Sequence, residues 1–238
     1  MSEKRQRGAK ADPAADEAVY QAITRAIMDG RLKAGTKLVE QTLAEAFGVS
    51  RERIRKVLHR LGAERRIEIV PNRGSRVPSP SPQEIRAVYE AHRVLEAGVL
   101  VQLAHILTDD ILARLDAHLL EEKAAAARGD RAASVRLSGA FHMHLVDALE
   151  NEELSRFLRD LLSRSSVMVS VYEPAADSAC AVDEHGAIVE ALRARDVAQA
   201  IHLSRHHFQH VEQRLRLDRP QGPAPDLRAL FSPEALAD

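Results

Sequence analysis

Ten of the eleven histidines in this 238-residue chain lie after residue 78. Two of them, His185 and His207, stand at a spacing that could bring their rings to one point. The 22 residues between them would span about 33 Å on one continuous helix, at ~1.5 Å per residue, too far to share an ion. A helical hairpin removes that difficulty. If its turn centres on Asp196, each histidine lies 11 residues away, and two antiparallel helices set both rings at one level. His207 also falls in the apolar stripe of Ala200, Leu203, Val211 and Leu215, whereas His202, His206 and His210 share another face and read as solvated. An inward imidazole has two readings, metal ligand or hydrogen-bonded core residue, and spacing alone leaves both open.

A second group with chemical capacity is basic. Arg51, Glu52, Arg53, Arg55 and Lys56 crowd the start of a helical pattern that follows Gly48-Val49-Ser50. Gly48 permits a turn, Val49 plugs the angle between two helices, and Ser50 caps the second one. The N-terminal end of such a helix enters a major groove, where Arg51 and Arg55 are placed to read guanine O6 and N7 as bidentate forks. Arg53 and Lys56 are placed for phosphate. At the tip of a predicted hairpin, Asn72-Arg73-Gly74 offers a wing. Gly74 lets the backbone approach the sugar-phosphate rail, and Arg73 enters a minor groove. The competing reading is an ordinary solvated helix face. Charge argues against it: residues 1–78 hold 17 Lys and Arg against 10 Asp and Glu, although the whole chain nets −1. The front third is therefore basic and the remainder acidic, which fits a nucleic-acid surface joined to a different kind of unit.

Helices must position both groups. Aromatic residues make up only 3% of the chain and tryptophan is absent, which suits aliphatic helix packing better than a β-sandwich. Cys180 is the single cysteine, so neither an intramolecular disulfide nor a multi-thiolate zinc site can form, and a reducing cytoplasm is expected. The sequence has no secretory leader pattern and no apolar run of membrane length. Residues 1–15 read as a disordered arm. A helix from Asp16 to Asp29-Gly30, a turn at 33–36, helices Glu40–Phe47 and Ser50–Ala63, and a hairpin over 67–77 make a winged helix-turn-helix at 16–78. The stretch Pro78-Ser79-Pro80-Ser81-Pro82 gives a stiff connector at 79–82. Helical patterns at 83–106, 109–128, 131–149, 151–172, 182–194 and 197–217 then build an all-helical bundle at 83–218, followed by a loose tail at 219–238. The fold class is mainly α.

The run from Ile27 to Glu40 resembles the opening of the GntR family of bacterial transcription regulators, and Leu43-Ala44-Glu45 through Arg55 resembles its core. Arg53 stands where a proline is usual, and Gln41 where some members carry a base-reading arginine. Residues 83–214 resemble the FCD ligand-binding domain of the FadR-type branch. Arg93-Val94-Leu95-Glu96, Phe141-His142, and Glu184-His185 with His207 carry that likeness. The resemblance implies a divalent metal on one aspartate and three histidines. His142, His185 and His207 match the histidines, and Ser138 stands at the aspartate position. An effector carboxylate or water would take the missing place, with Ser138 behind it. Cys180 is a rival fourth ligand, its ordinary reading being a small buried apolar residue. Three imidazoles favour zinc or nickel.

Arg93, Arg164 and Ser138 are candidate contacts for an anionic effector. The alternative for Arg93 is a salt bridge to Glu90 or Glu96 on its own helix. The expectation is a cytoplasmic homodimer on double-stranded operator DNA, a repressor released by a small organic acid, and not an enzyme. Its rivals are a metal-dependent hydrolase, since three histidines around an open position can activate water, and a metal-free sensor of a larger acyl ligand. The hydrolase has no clear catalytic base and leaves the basic winged helix unexplained.

Overall fold

The computed structural model describes residues 13–174, 181–217, 223–232 and 235. Helix α1, Pro13–Met28, begins with proline, whose missing N–H costs nothing in a first turn. It starts three residues ahead of the expected Asp16, so Pro13 to Ala15 leave the arm; residues 1–12 lie outside the described set. Next come β1 (Lys37–Leu38), α2 (Glu40–Phe47), α3 (Arg51–Ala63), β2 (Glu68–Val70) and β3 (Gly74–Arg76). The sheet is antiparallel in the order β1-β3-β2. β1 is an addition to the expected hairpin. Two residues show no alternation, and only pairing across to Ser75 and Arg76 makes them a strand.

Between α2 and α3, Gly48 takes φ +65°, a left-handed value that favours glycine, and Ser50 Oγ accepts the Arg53 N–H at 3.3 Å. Ile54, Val57, Leu58 and Leu61 of α3 join Ile23, Ile27, Leu32, Leu38 and Leu43 in one core. α3 is thereby held with its opposite, charged face outward.

Helix α4, Pro82–Ile106, opens on a complete capping box between Ser81 and Glu84. α5 (Asp109–Ala127), α6 (Arg131–Asp147), α7 (Glu152–Tyr172), α8 (Ala181–Arg193) and α9 (Val197–Arg214) complete the bundle. Their bounds lie within a few residues of the expected ones, because apolar periodicity and N-caps at Thr108, Asp130, Asn151 and Asp196 mark them locally. The α8–α9 turn uses Arg195 at φ +59°. Asp196 then caps α9 by accepting the Gln199 N–H at 2.9 Å. α9 packs against both α4 and α8.

The tail corrects an expectation. Residues Leu227–Leu230 form α10, which packs on α2. Leu227 and Phe231 are buried in the winged-helix core, and the Phe231 ring lies 4.9 Å from that of Phe47. Arg228 pairs with Glu45 at 2.5 Å. Prolines hid this element, and one turn is too short for periodicity to reveal. On another side, Val135 of α6 and Val167 of α7 enter the same core as α1, so the two halves share packed apolar surface. Among the described residues no helix is long and apolar enough to cross a membrane.

Candidate functional site

α6 delivers His142, α8 delivers His185 and α9 delivers His207, with exposures of 2%, 0% and 2%. One ligand-capable atom from each lies within 4.8 Å of the others. The hairpin that the sequence required for His185 and His207 is present, and their Nε2 atoms stand 3.4 Å apart.

The second nitrogen of every ring is engaged by a carboxylate. Nδ1 of His142 meets Glu96 Oε2 at 2.7 Å, Nδ1 of His185 meets Glu122 at 3.0 and 3.1 Å, and Nδ1 of His207 meets Glu184 Oε2 at 2.7 Å. An ionised carboxylate only accepts, so each Nδ1 donates its proton and each Nε2 keeps a lone pair. The three rings thus keep a free nitrogen each within one small cluster, the pattern in which second-layer carboxylates orient metal-binding imidazoles. Two nitrogens on one tetrahedral ion with bonds of ~2.0–2.1 Å would stand about 3.3–3.4 Å apart. The donor set therefore fits a borderline divalent metal. Burial pushes His207 down to about 3 and also lowers His185, although the facing carboxylates oppose this, so both rings stay neutral as ligands must. Burial alone would raise Glu96, Glu122 and Glu184, but the imidazoles against them outweigh it and hold them below the usual carboxylate range.

In the sequence Glu96 stands out as a motif neighbour and a possible partner of Arg93, Glu184 only as a motif neighbour, and Glu122 not at all. A signal existed. Glu96 shares the inward stripe of Tyr89, His92, Leu100 and Leu103, and Glu122 that of Leu115, His118, Leu119 and Ala125. An acid at a core position needs a buried partner. The histidine set also sorts further than expected. His202 and His206 are exposed, whereas His210 shares Glu184 with His207, at 2.7 Å. His92 shows the core alternative: it stacks on Phe208 at 4.7 Å between centroids, and its Nε2 lies 3.1 Å from Ser165 Oγ.

His142 and His207 open on a cavity that is partly open to solvent and has about 60 Å³ of water-accessible space, room for a few waters. Ser138 lies in its wall. Arg93 and Arg164 do not. Arg93 crosses to Glu212 of α9 at 2.8 Å, because Glu96, the partner offered by its own helix, is already taken by His142 and by Ser204 at 2.7 Å. Arg164 instead faces a groove with Pro78, Pro80 and Glu84. The arginine on the cavity is Arg214, whose Nε lies 2.6 Å from Glu173. Cys180 falls outside the described residues.

On the other half, α3 exposes Arg51, Glu52, Arg55 and Lys56. Glu40 of α2 holds both expected base readers: Arg55 forks onto it through Nε and a terminal nitrogen, both at 2.9 Å, and Arg51 reaches it at 3.5 Å. Arg53 differs from its expected role. Its side chain is 15% exposed and its Nε lies 3.0 Å from Asp16, so it ties α3 to α1 instead of reaching outward. Lys56 also reaches Asp16, at 2.8 Å, but stays exposed. Gln41 is exposed on α2 and donates to Glu45 at 2.7 Å. Asn72, Arg73 and Gly74 project at the hairpin tip, with Asn72 at φ +61° and Gly74 at +83°.

Comparison with known proteins agrees with both halves. Residues 15–77 match the family described as "Bacterial regulatory proteins, gntR family", and residues 87–210 match the FCD domain. The HTH-type transcriptional regulator LutR of Bacillus subtilis (strain 168) is 28% identical over 208 residues, covering 78% of this chain and 94% of that protein. The gluconate operon transcriptional repressor of the same organism is 24% identical, covering 79% and 80%. In fold, the chain is similar to the crystal structure of "a putative transcriptional regulator GntR from Rhodococcus sp. RHA1", with a TM-score of 0.70 at 22% identity over 84% of this chain and 96% of that one. These relatives are regulators and not enzymes, which leaves the hydrolase reading without support. The chain belongs to the GntR family of bacterial regulatory proteins: it is a DNA-binding transcription regulator whose helical half is an FCD domain.

Proposed function

We propose that this regulator is a cytoplasmic, homodimeric repressor that leaves its operator when a small carboxylate metabolite binds beside a metal in the helical half. The observation that carries the reading is the clustering of three buried imidazoles, each with its Nδ1 held by a carboxylate, at the wall of a cavity. His142, His185 and His207 would hold zinc or nickel, and the ion would supply a Lewis-acidic position open to water or an effector carboxylate. Ser138 serves from the wall. One relative is named for a gluconate operon, and gluconate is a carboxylate, which supports an acid effector. The carboxylate backing of all three rings favours a metal over the rival reading of a metal-free acyl sensor with a polar core.

Residues 16–78 form the reading unit and 83–218 the sensing unit. Arg51 and Arg55 read guanine edges, Glu52 and Gln41 lie beside them, and Lys56, Asn72, Arg73 and Gly74 engage the backbone and minor groove. Two such heads meet half-sites about 34–36 Å apart, one helical turn. The effector loosens binding only to the extent that it prefers a dimer geometry that fits the operator less well. The test is elemental analysis of the purified protein, followed by titration onto the DNA upstream of its own gene with and without a panel of organic acids. One equivalent of metal per chain and acid-dependent release are expected. A metal-free protein, or one that ignores that DNA and random duplex alike at low salt, overturns the reading.

A further inference from the structure

The cavity that begins at the histidines has a second polar end. Arg214 lies seven residues beyond His207 on α9, about 10 Å along the axis at ~1.5 Å per residue. There it is paired with Glu173, the C-cap that follows α7, and both line the cavity. Tyr89 of α4 lines it as well. Its side chain is 1% exposed and its hydroxyl has no hydrogen-bond partner. Burying a hydroxyl without a partner is a standing cost that phenylalanine would avoid while packing the same ring. Between the two ends the wall is mixed, with Leu162, Val169, Phe208 and Val211 among the hydroxyls of α6 and α7.

The far end carries no surplus charge, since Glu173 balances Arg214, and Arg93 nearby is balanced by Glu212. A second carboxylate arriving there would meet no free cation. A neutral hydroxyl would find Tyr89 Oη to pair with and the Glu173 carboxylate to accept its proton. We propose that Tyr89 holds the far end of a two-headed effector: a carboxylic acid that bears a neutral hydroxyl several carbons from the carboxylate at the histidine end. This rests on the acid-sensor reading given above and adds the chemistry of the second head. Tyr89 acts as a specificity residue, because a site built to pair with a hydroxyl penalises the analogue that lacks one.

The experiment uses the full-length, metal-loaded protein. Calorimetric titrations compare straight-chain monocarboxylates, their terminal hydroxy derivatives and the matching dicarboxylates, over lengths of about four to eight carbons. Wild type is expected to bind the hydroxy acid roughly tenfold more tightly than the plain acid, at one favoured length, because the distance between the two ends is fixed. Tyr89→Phe, which keeps the ring, is expected to erase that preference and leave the plain acid's affinity within about twofold. Equal binding of hydroxy and plain acids by wild type at every length overturns the proposal. So does a preference that survives in Tyr89→Phe, or a dicarboxylate that outbinds the hydroxy acid. In each of these three outcomes plain acids still bind, so the acid-sensor reading stands. Failure of every acid to bind the loaded protein removes that reading and the proposal together. The wild-type length series decides the matter without any variant, should Tyr89→Phe fold poorly.

Discussion

The DNA-reading face and the histidine cluster both gather acids around bases, one in water and one in the dry core. On α2 and α3, Glu40 engages Arg51 and Arg55 where all three are wet. Such pairs are worth little, so a phosphate or a guanine edge can replace the carboxylate at small cost. In the bundle, Glu96 and Glu122 face their histidines with almost no water, and removing either partner strands the other in a low dielectric, while Glu184 faces the buried His207 from the edge of the core. The difference teaches what each pairing is for. On the proposed reading, the surface pairs keep flexible arginines near their working positions and then yield. The buried pairs fix a proton on one nitrogen so that the other is always available.

The sharpest way to break this contrast is to remove the proposed readers. Arg51→Ala with Arg55→Ala should weaken specific operator binding about a hundred- to thousandfold, measured by fluorescence anisotropy, while metal content stays unchanged. A parallel loss of metal would deny the two regions separate tasks. Next in size is Phe231→Ala. Deleting this buried ring from the reading half should cost about 3 kcal/mol, seen as a lower melting temperature with the metal site still competent. A neutral result would mean that the tail only rests on α2. Glu122→Gln keeps the shape but loses the anion behind His185, and should lower metal affinity about ten- to hundredfold without altering operator affinity in the absence of effector. Unchanged metal affinity would show that Glu122 is merely a buried acid.

Acidification separates the regions differently. Burial holds His92 down to about 4 and His207 down to about 3, from the ordinary 6.5. Below pH 6.5 the unfolded chain takes up protons that these native rings refuse, so stability of the metal-stripped protein falls as pH drops from 6.5 toward 3–4. The depressed carboxylates add a loss of the same sign below their usual 4.5. Urea midpoints at several pH values should drop over this window, with the loss carried by the helical half; a flat profile would contradict neutral buried rings. The smallest effect is expected from Glu40→Gln. Removing one negative charge beside the readers should tighten DNA binding by roughly two- to fivefold at low salt. A weakening instead would show that Glu40 positions Arg55 for the groove.

Much of this was legible from local signals. Gly48 and Ser50 set the ends of α2 and α3, and the capping residues of the bundle marked its helices within a few positions, because caps act over three or four residues. The misses are contacts between distant segments. Arg53 looks like a phosphate ligand until Asp16, on another helix, is seen beside it. Glu122 meets His185 across 63 positions of sequence. Whether Arg93 or Arg214 faces the cavity depends on how α4 and α9 are rotated about their axes, which periodicity leaves loose by tens of degrees. β1 and α10 are shorter than any repeat that could announce them.

The docking of α10 on α2 has a practical meaning. The chain's closing stretch is threaded back against its opening third, while α1 rests on α6 and α7, so the halves are laced together on two sides. A protease that nicked the proline connector would leave both fragments migrating as one body through a sizing column. Trimming the last dozen or so residues as well would undo one side of that lacing and leave α1 on α6 and α7 as the other.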